Sequence, residues 1–160
     1  LNPVGNFVSI CISDRKSGGH IISKHSIVID VFKELGYILH SHKIWVKGTG
    51  VNDYRVNYQH IMTFSRKGTK RKPVADFKPD VFIVNQSKYK SYTYGMPVRI
   101  IELLVSNYTD KNDIVYDPFM GSGTTAEACE NTRRRWIGSE IDKKYGELVK
   151  ERMGLGAEDL

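Results

Sequence analysis

The chain has 160 residues, a formal net charge of +6 at pH 7 and two cysteines. This length suits one domain with a sizeable hydrophobic core. The positive charge favours a polyanionic partner such as a nucleic acid, although an ordinary basic surface explains it equally well. No apolar run approaches the roughly 18 residues of a membrane span, and no signal peptide precedes the first predicted strand. We therefore expect a cytoplasmic protein.

The two cysteines, Cys11 and Cys129, lie in apolar strand and helix contexts. A cysteine in such a context behaves as a small, reduced, hydrophobic side chain. We therefore expect both to be buried, and we expect neither a disulfide nor a metal site.

The first half of the chain predicts a strand, a helix and a pair of strands. Residues 6–13 form a nearly continuous apolar run, which is typical of a strand covered on both faces. Apolar residues recur at helical spacing over residues 28–35, and Gly36 follows as a stop signal. Residues 37–47 and 57–65 then predict two strands of an antiparallel hairpin at a sheet edge.

The second half begins with an irregular, basic segment at residues 66–90, which predicts a loop or small insertion with one short strand at residues 81–84. A helix is predicted at residues 98–107. Beyond it, the pattern strand 114–117, helix, strand 136–140 and final helix predicts a β-α-β unit. Strands that alternate with helices indicate a three-layer α/β sheet.

A glycine-rich turn joins the strand at residues 114–117 to the following helix. Gly121 and Gly123 permit positive φ and close approach of a ligand to the backbone. With Ala126 and Glu140 they meet the pattern G-x-G-x-x-G/A followed by an acid about twenty residues later, which is typical of dinucleotide-binding folds. A nicotinamide-dependent oxidoreductase is therefore one hypothesis.

Asp117 argues against a dinucleotide at this turn. Its carboxylate lies where the strand meets the glycines and would repel a pyrophosphate, and no Lys follows the glycines as in a phosphate-binding Walker loop. A cofactor that carries positive charge and no phosphate suits this acid better. S-adenosylmethionine, with its sulfonium and ammonium groups, is such a cofactor.

The run Asp117-Pro-Phe-Met-Gly-Ser-Gly-Thr-Thr125 resembles the D-P-F-x-G-S-G-T-T motif of the DNA amino-methyltransferases, which modify adenine N6 or cytosine N4. Segments 1–5, 44–47, 58–67 and 96–106 also resemble that family, so the likeness covers almost the whole chain. It implies a single, partial methyltransferase domain over residues 1–160. The implied fold is the Rossmann-like, S-adenosylmethionine-dependent one: three layers and a mostly parallel sheet with an antiparallel edge hairpin.

The resemblance also implies a cofactor site. Asp117 would face the ammonium or sulfonium group, and Glu140 would accept both ribose hydroxyls. Phe119 would line the adenine or methionine slot, with core packing as its alternative. A helix cap is the alternative role for Asp117, Thr124 and Thr125. The implied cofactor-binding residues are Asp117, Pro118, Phe119, Gly121, Ser122, Gly123, Thr124, Glu140, Met96 and Pro97.

Candidate DNA contacts follow the predicted hairpin. Its basic cluster would track a phosphate backbone, although a solvated loop is the alternative. An amino group inside a duplex is reached only by base flipping, and Trp45 would stack on the flipped base unless it is a core residue. The predicted DNA-binding residues are Arg66, Lys67, Lys70, Arg71, Lys72 and Trp45.

The family's catalytic tetrapeptide, Asp/Asn/Ser-Pro-Pro-Tyr/Phe, does not occur, because none of the five prolines is adjacent to another. The resemblance therefore assigns no catalytic residue and leaves adenine or cytosine open as the target. We expect an N-terminally incomplete DNA methyltransferase, inactive alone, that a missing segment or a partner chain completes. A non-catalytic cofactor- or DNA-binding remnant, one half of a split enzyme, and an RNA or protein acceptor are alternatives.

Overall fold

The computed structural model describes residues 7–48, 56–69, 79–85, 87–89 and 92–156. The chain divides into two compact units. The first comprises Leu1–Lys72 and Lys78–Asn85, and the second comprises Pro73–Phe77 and Gln86–Leu160. The single domain over residues 1–160 stays a prediction.

The first unit is built on a mixed four-stranded sheet with one helix. Its strands occur in the order β1-β5-β4-β6, of which only β4 and β6 run parallel, and β2 and β3 form a separate antiparallel pair. The elements are β1 (Phe7–Ile12), β2 (Arg15–Ser17), β3 (His20–Ile22), α1 (Lys24–Glu34), β4 (Tyr37–Val46), β5 (Tyr58–Arg66) and β6 (Val81–Ile83).

The predicted hairpin is confirmed as an antiparallel pair, and the structure corrects its edge position. β4 pairs with β5 from Tyr37↔Arg66 to Val46↔Tyr58. However, β1 flanks β5 and β6 flanks β4, so both hairpin strands are interior in this sheet. The cause is the short strand predicted at residues 81–84, because it extends the sheet beyond β4 instead of remaining in a loop.

The core of the first unit lies between this sheet and α1. Met62 and Phe64, which alternate along β5, are buried together with Tyr37. Phe32 of α1 stacks on Phe64, with 4.2 Å between the ring centroids. Burying a large apolar side chain of this kind contributes about 1.5–3 kcal/mol, so this contact is a main attachment of the helix to the sheet.

Strand β1 differs from the prediction of a strand covered on both faces. Val8 and Ile12 pack against the core under α1. Ser9 and Cys11 alternate with them, point to the opposite face and are exposed. The predicted burial of Cys11 is therefore wrong, whereas Cys129 is buried as expected.

The second unit contains the predicted β-α-β arrangement, in which β9 and β10 pair in parallel. Strands β7 and β8 form a separate antiparallel pair. No helix among the described residues is long and apolar enough to cross a bilayer. The elements are β7 (Ser87–Tyr89), β8 (Tyr92–Gly95), α2 (Val98–Tyr108), β9 (Ile114–Asp117), α3 (Thr124–Thr132), β10 (Arg135–Gly138) and α4 (Lys143–Met153).

Helix α3 packs against both α2 and α4. The apolar stripe of α2 is buried. Ala126 of α3 forms a second small core with Met120 and with Val149 of α4, against which Trp136 packs. Because this core includes Met120 from the glycine-rich turn, helix packing also fixes the position of that turn.

The two cysteines give a direct test of this packing. Burial, together with nearby Glu130, raises the pKa of the Cys129 thiol to about 12. At pH 8 its thiolate fraction is therefore on the order of 10⁻⁴. We expect iodoacetamide to modify Cys11 in the folded chain and Cys129 only after unfolding in guanidinium, as read by mass spectrometry of the two peptides. A Cys11→Ser control should remain unlabelled while folded, and rapid labelling of Cys129 in that control would contradict the described packing.

Candidate cofactor-binding site

The glycine-rich turn lies at the carboxyl ends of two parallel strands. Gly138 pairs with Asp117, so the residues that follow β9 and β10 emerge at the same edge. Gly121 and Gly123 have φ of 54° and 83°, in the left-handed region that favours glycine. A Cβ at Gly123 would also lie 3.4 Å from the methyl groups of Val149. The positive φ therefore favours glycine at position 123, and a Cβ there would just contact Val149.

Hydrogen bonds join this turn to the segment that follows β10. The amide of Met120 donates to the carbonyl of Ser139 at 3.0 Å, and the amide of Ser139 donates to the carbonyl of Asp117 at 3.1 Å. The amide of Gly121 donates to Oε2 of Glu140 at 2.7 Å. The two loops are thus held together, and the carboxylates of Asp117 and Glu140 are fixed in the same structure.

The carboxylate of Asp117 is oriented by two donors. Its Oδ1 accepts from the amide of Phe119 at 2.9 Å, and its Oδ2 accepts from Oγ1 of Thr125 at 2.6 Å. The N-cap of α3 is Gly123, without a side-chain cap. Thr125 therefore orients the acid from within the first turn of the helix and is not the N-cap.

Glu140 is oriented in a similar way. Besides the bond from Gly121, its Oε1 accepts from the amide of Asp142 at 2.9 Å. An ionised carboxylate offers about four acceptor positions, so these two bonds leave acceptor capacity on both oxygens. The half-buried carboxylate is thereby oriented and still able to bind hydroxyl groups.

An arginine that was not predicted from the sequence holds the other side of the turn. Arg152 of α4 donates to the carbonyl of Ser122 at 3.0 Å, lies 3.4 Å from the hydroxyls of Ser122 and Thr124, and pairs with Glu127. Ser122 is buried. The geometry thus gives Ser122 and Thr124 a structural role, and their cofactor contacts stay predictions. Arg152 carries no local signal, since only the packing of α4 brings it here.

The remaining predicted cofactor residues differ in exposure. Phe119 is 87% exposed, so core packing, the alternative for this ring, is wrong. Pro118 is exposed beside it. Met96 is half-buried and Pro97 is buried at the start of α2. Phe119 and Pro118 are therefore available to a ligand, and contacts from all four stay predictions.

The predicted DNA contacts fall into three groups. Arg66 and Lys67 are exposed at the end of β5. The other basic residues, Lys70, Arg71 and Lys72, lie outside the described residues. Trp45 is 1% exposed, and its Nε1 donates to the carbonyl of Val84 at 2.7 Å. The structure therefore contradicts Trp45 as a base-stacking residue, because the pairing of β6 beside β4 makes its ring part of the core.

A second polar cluster, in the first unit, was not predicted from the sequence. Asp14 and His60 are buried there, with His25 and His42 beside them. Burial, and then nearby His25, lowers the pKa of His60, and burial also lowers the pKa of His42. Burial acts to raise the pKa of Asp14, but hydrogen bonds from His25 outweigh it and hold that pKa below its ordinary value. Asp14 is separated from its partners by 11 and 46 residues, so no motif spacing reveals the cluster.

The fold and the glycine-rich turn define an α/β protein of the nucleotide-cofactor-binding class. Within that class, this chain belongs to a DNA methylase family: the family model N6_N4_Mtase matches residues 5–151. The comparisons point to methyltransferases, and they give no support to the hypothesis of a nicotinamide-dependent oxidoreductase.

Individual relatives agree with this assignment. The type II methyltransferase M.MjaI of Methanocaldococcus jannaschii is 28% identical over an alignment that covers 94% of this chain and 62% of the relative. This chain thus spans about three fifths of that relative's length. Among solved structures, a putative DNA modification methylase from Thermus thermophilus has a TM-score of 0.73 at 25% identity, covering 92% of this chain and 69% of the other. The M1.HpyAVI–SAM complex has a TM-score of 0.68 at 30% identity, covering 80% and 68%.

Two glycines of the second unit give opposite predictions for stability. A Cβ at Gly138 would lie 2.1 Å from Cε and 3.2 Å from Cγ of buried Met120. Met120 must shift to make room, and the loss of its packing outweighs the backbone-entropy gain of alanine, so we expect Gly138→Ala to lower the free energy of unfolding by about 1 kcal/mol. At Gly146, the fourth residue of α4, a Cβ meets nothing within 4 Å. Gly146→Ala should raise the free energy of unfolding by about 0.5–1 kcal/mol.

Urea unfolding of the two variants beside the parent chain measures both effects. Equal stability of Gly138→Ala and the parent would contradict the close packing of Met120 on β10.

Proposed function

We propose that this chain is the cofactor-binding part of a DNA amino-methyltransferase that transfers the methyl group of S-adenosylmethionine to the exocyclic amine of adenine or cytosine. The hydrogen bond from Gly121 to Glu140 carries the proposal. It fixes a strand-end carboxylate beside a glycine-rich turn, with acceptor capacity left for two ribose hydroxyls. Membership of the DNA methylase family, and the likeness to a structure in complex with SAM, support the choice of cofactor.

The side chains at the turn fit S-adenosylmethionine better than a dinucleotide. Asp117 ends β9 beside the glycine-rich turn, where its carboxylate disfavours a pyrophosphate and favours a cationic ligand. Glu140 lies two residues beyond β10 and suits the ribose of either cofactor. The backbone at Gly121 and Gly123 allows close approach. When bound, the cofactor supplies an activated methyl group on its sulfonium. Asp117 would hold the cationic end, Glu140 the ribose, and exposed Phe119 the adenine or methionine portion.

The acceptor side of the reaction requires groups that this sequence does not contain. The exocyclic amine is a poor nucleophile because its lone pair is delocalised into the ring. In the family, the Asp/Asn/Ser-Pro-Pro-Tyr/Phe tetrapeptide accepts hydrogen bonds from that amine and stacks on the base, which is positioning and electrostatic preorganisation. The tetrapeptide is not among these 160 residues. We propose that residues outside this sequence, on the same polypeptide or on a partner chain, provide it and set the choice between adenine and cytosine.

The basic segment after β5 is the proposed contact with the DNA backbone. Arg66 and Lys67 are exposed at its start. Three further basic residues, Lys70, Arg71 and Lys72, continue the charge along the sequence. Contacts of this type position a protein on a duplex and do not read its sequence.

Calorimetric titration with S-adenosylmethionine tests the cofactor site. In Glu140→Gln an amide that carries no charge replaces the carboxylate, and charge-assisted hydrogen bonds are roughly twice as strong as neutral ones. We expect Kd to rise by about 10- to 100-fold. Glu147→Gln is the matched control, because Glu147 is exposed on α4 and pairs with Lys150, and it should leave Kd within about twofold.

Equal affinity of Glu140→Gln and the parent chain would remove Glu140 from the site. A folded parent chain that binds no S-adenosylmethionine would contradict the proposed function, and binding of a nicotinamide dinucleotide in its place would restore the oxidoreductase hypothesis.

Salt dependence of duplex binding tests the DNA contact. We expect the triple variant Lys67→Gln, Lys70→Gln, Lys72→Gln to reduce the slope of log K against log salt by up to about 2.7, since each lost phosphate contact removes about 0.9. The control Lys111→Gln, Lys143→Gln, Lys144→Gln changes the same net charge at exposed positions of the second unit. Equal slopes for the two variants, measured by fluorescence anisotropy, would indicate general attraction to a basic surface and would contradict a defined contact.

A further inference from the structure

Three side chains of the first unit, Asp14, His25 and His60, converge at a site that the proposed methyl transfer does not use. Asp14 follows β1, His25 lies in the first turn of α1, and His60 lies in β5. Their side chains are 3%, 26% and 8% exposed. An almost fully buried carboxylate thus meets two imidazoles from two other elements, and a buried charge of this kind costs free energy unless it is paired or binds a metal.

The distances match those between the ligands of one metal ion. Nδ1 of His25 lies 2.9 Å from both carboxylate oxygens of Asp14, and Nε2 of His60 lies 3.3 Å from Oδ2. One ligand atom from each residue lies within 4.8 Å of the others. Two ligands held tetrahedrally about 2.0–2.1 Å from Zn²⁺ are about 3.3 Å apart. The rings of His25 and His60 are stacked, with centroids 3.9 Å apart and 23° between their planes, so one ring must rotate for both imidazoles to bind the same ion.

His42 supplies the outer partner that a metal-bound histidine needs. Its Nε2 lies 2.8 Å from Nδ1 of His60. When Nδ1 of His60 carries the proton and donates it to His42, Nε2 of His60 is an acceptor that faces the acceptor oxygen of Asp14. A cation between these two lone pairs satisfies both. Metal-bound histidines commonly donate their second N–H to an outer group, which fixes the tautomer in this way.

We propose that Asp14, His25 and His60 bind a divalent transition-metal ion, with Zn²⁺ favoured by the His₂Asp donor set. Imidazole nitrogen and carboxylate oxygen are ordinary zinc ligands, and three protein ligands leave the fourth tetrahedral position to water. The ion links β1, α1 and β5, so it stabilises the first unit. The site differs from the sequence-based expectation of no metal, and it does not depend on the function proposed for the glycine-rich turn.

Titration of the full chain with ZnCl₂, after dialysis against EDTA and in a non-chelating buffer, tests the proposal. We expect one equivalent to bind with Kd below about 1 µM and to raise Tm, because a ligand that binds only the folded state stabilises it. Asp14→Asn keeps the side-chain volume and His25→Ala removes the most exposed ligand. Each should weaken binding at least about tenfold. His20→Ala, at an exposed position of β3, is the matched control and should bind as the parent does.

The d–d absorption of Co²⁺ in place of Zn²⁺ gives a readout of ligand geometry. An intense visible band from the parent and His20→Ala, lost in His25→Ala of unchanged circular dichroism, supports the proposal even if Asp14→Asn fails to fold. Absent binding by the folded parent, or binding that both ligand variants retain, overturns it and leaves Asp14, His25 and His60 as a hydrogen-bonded structural network. Loss of binding only in His20→Ala overturns it as well, because the ion is then held at the surface.

Discussion

The second unit depends on one constraint: the loop after β9 and the loop after β10 are hydrogen-bonded to each other at the carboxyl ends of the two strands. The bond from Gly121 to Glu140 is the shortest of the contacts described between them. It requires the left-handed backbone at Gly121 and the space above Gly138 that Met120 fills. Helix α3 then starts at Gly123, whose positive φ favours glycine and which lies beside Val149 of α4. The position of both carboxylates follows from these local requirements.

Comparable constraints on the first unit come from β5. Its residues are buried on both faces through most of their length, with α1 on one of them. The end of the sheet that carries Asp14 and His60 therefore excludes water from a carboxylate and an imidazole. The same sheet explains why Trp45 packs as a core residue, since β6 covers the strand that presents it. The burial of the polar cluster and the burial of Trp45 thus both depend on this sheet.

Much of the fold was predictable from the sequence because its signals are local. The helix predicted to stop at Gly36 corresponds to α1 within a few residues. The predicted strand-helix-strand-helix pattern that begins at Ile114 corresponds to β9, α3, β10 and α4. Predictions failed where a distant segment decided the outcome. The position of β6 made the hairpin interior, and the face that α1 covers left Cys11 exposed. A three-residue strand in a basic segment gives too weak a signal to place beside β4.

For the site, the glycine-rich turn, its flanking acids and the DNA methylase family were predictable from the sequence, because these features depend on residues that are close along the chain. The tertiary structure alone decided that Thr125 orients Asp117, that Arg152 holds Ser122, and that Asp14 meets His25 and His60. Arg152 lies 30 residues from Ser122 and His60 lies 46 from Asp14. Thr125 is only 8 residues from Asp117, and it meets the acid because the glycine-rich turn folds back. Which side chains meet there depends on strand register and helix packing, and no spacing along the chain encodes either.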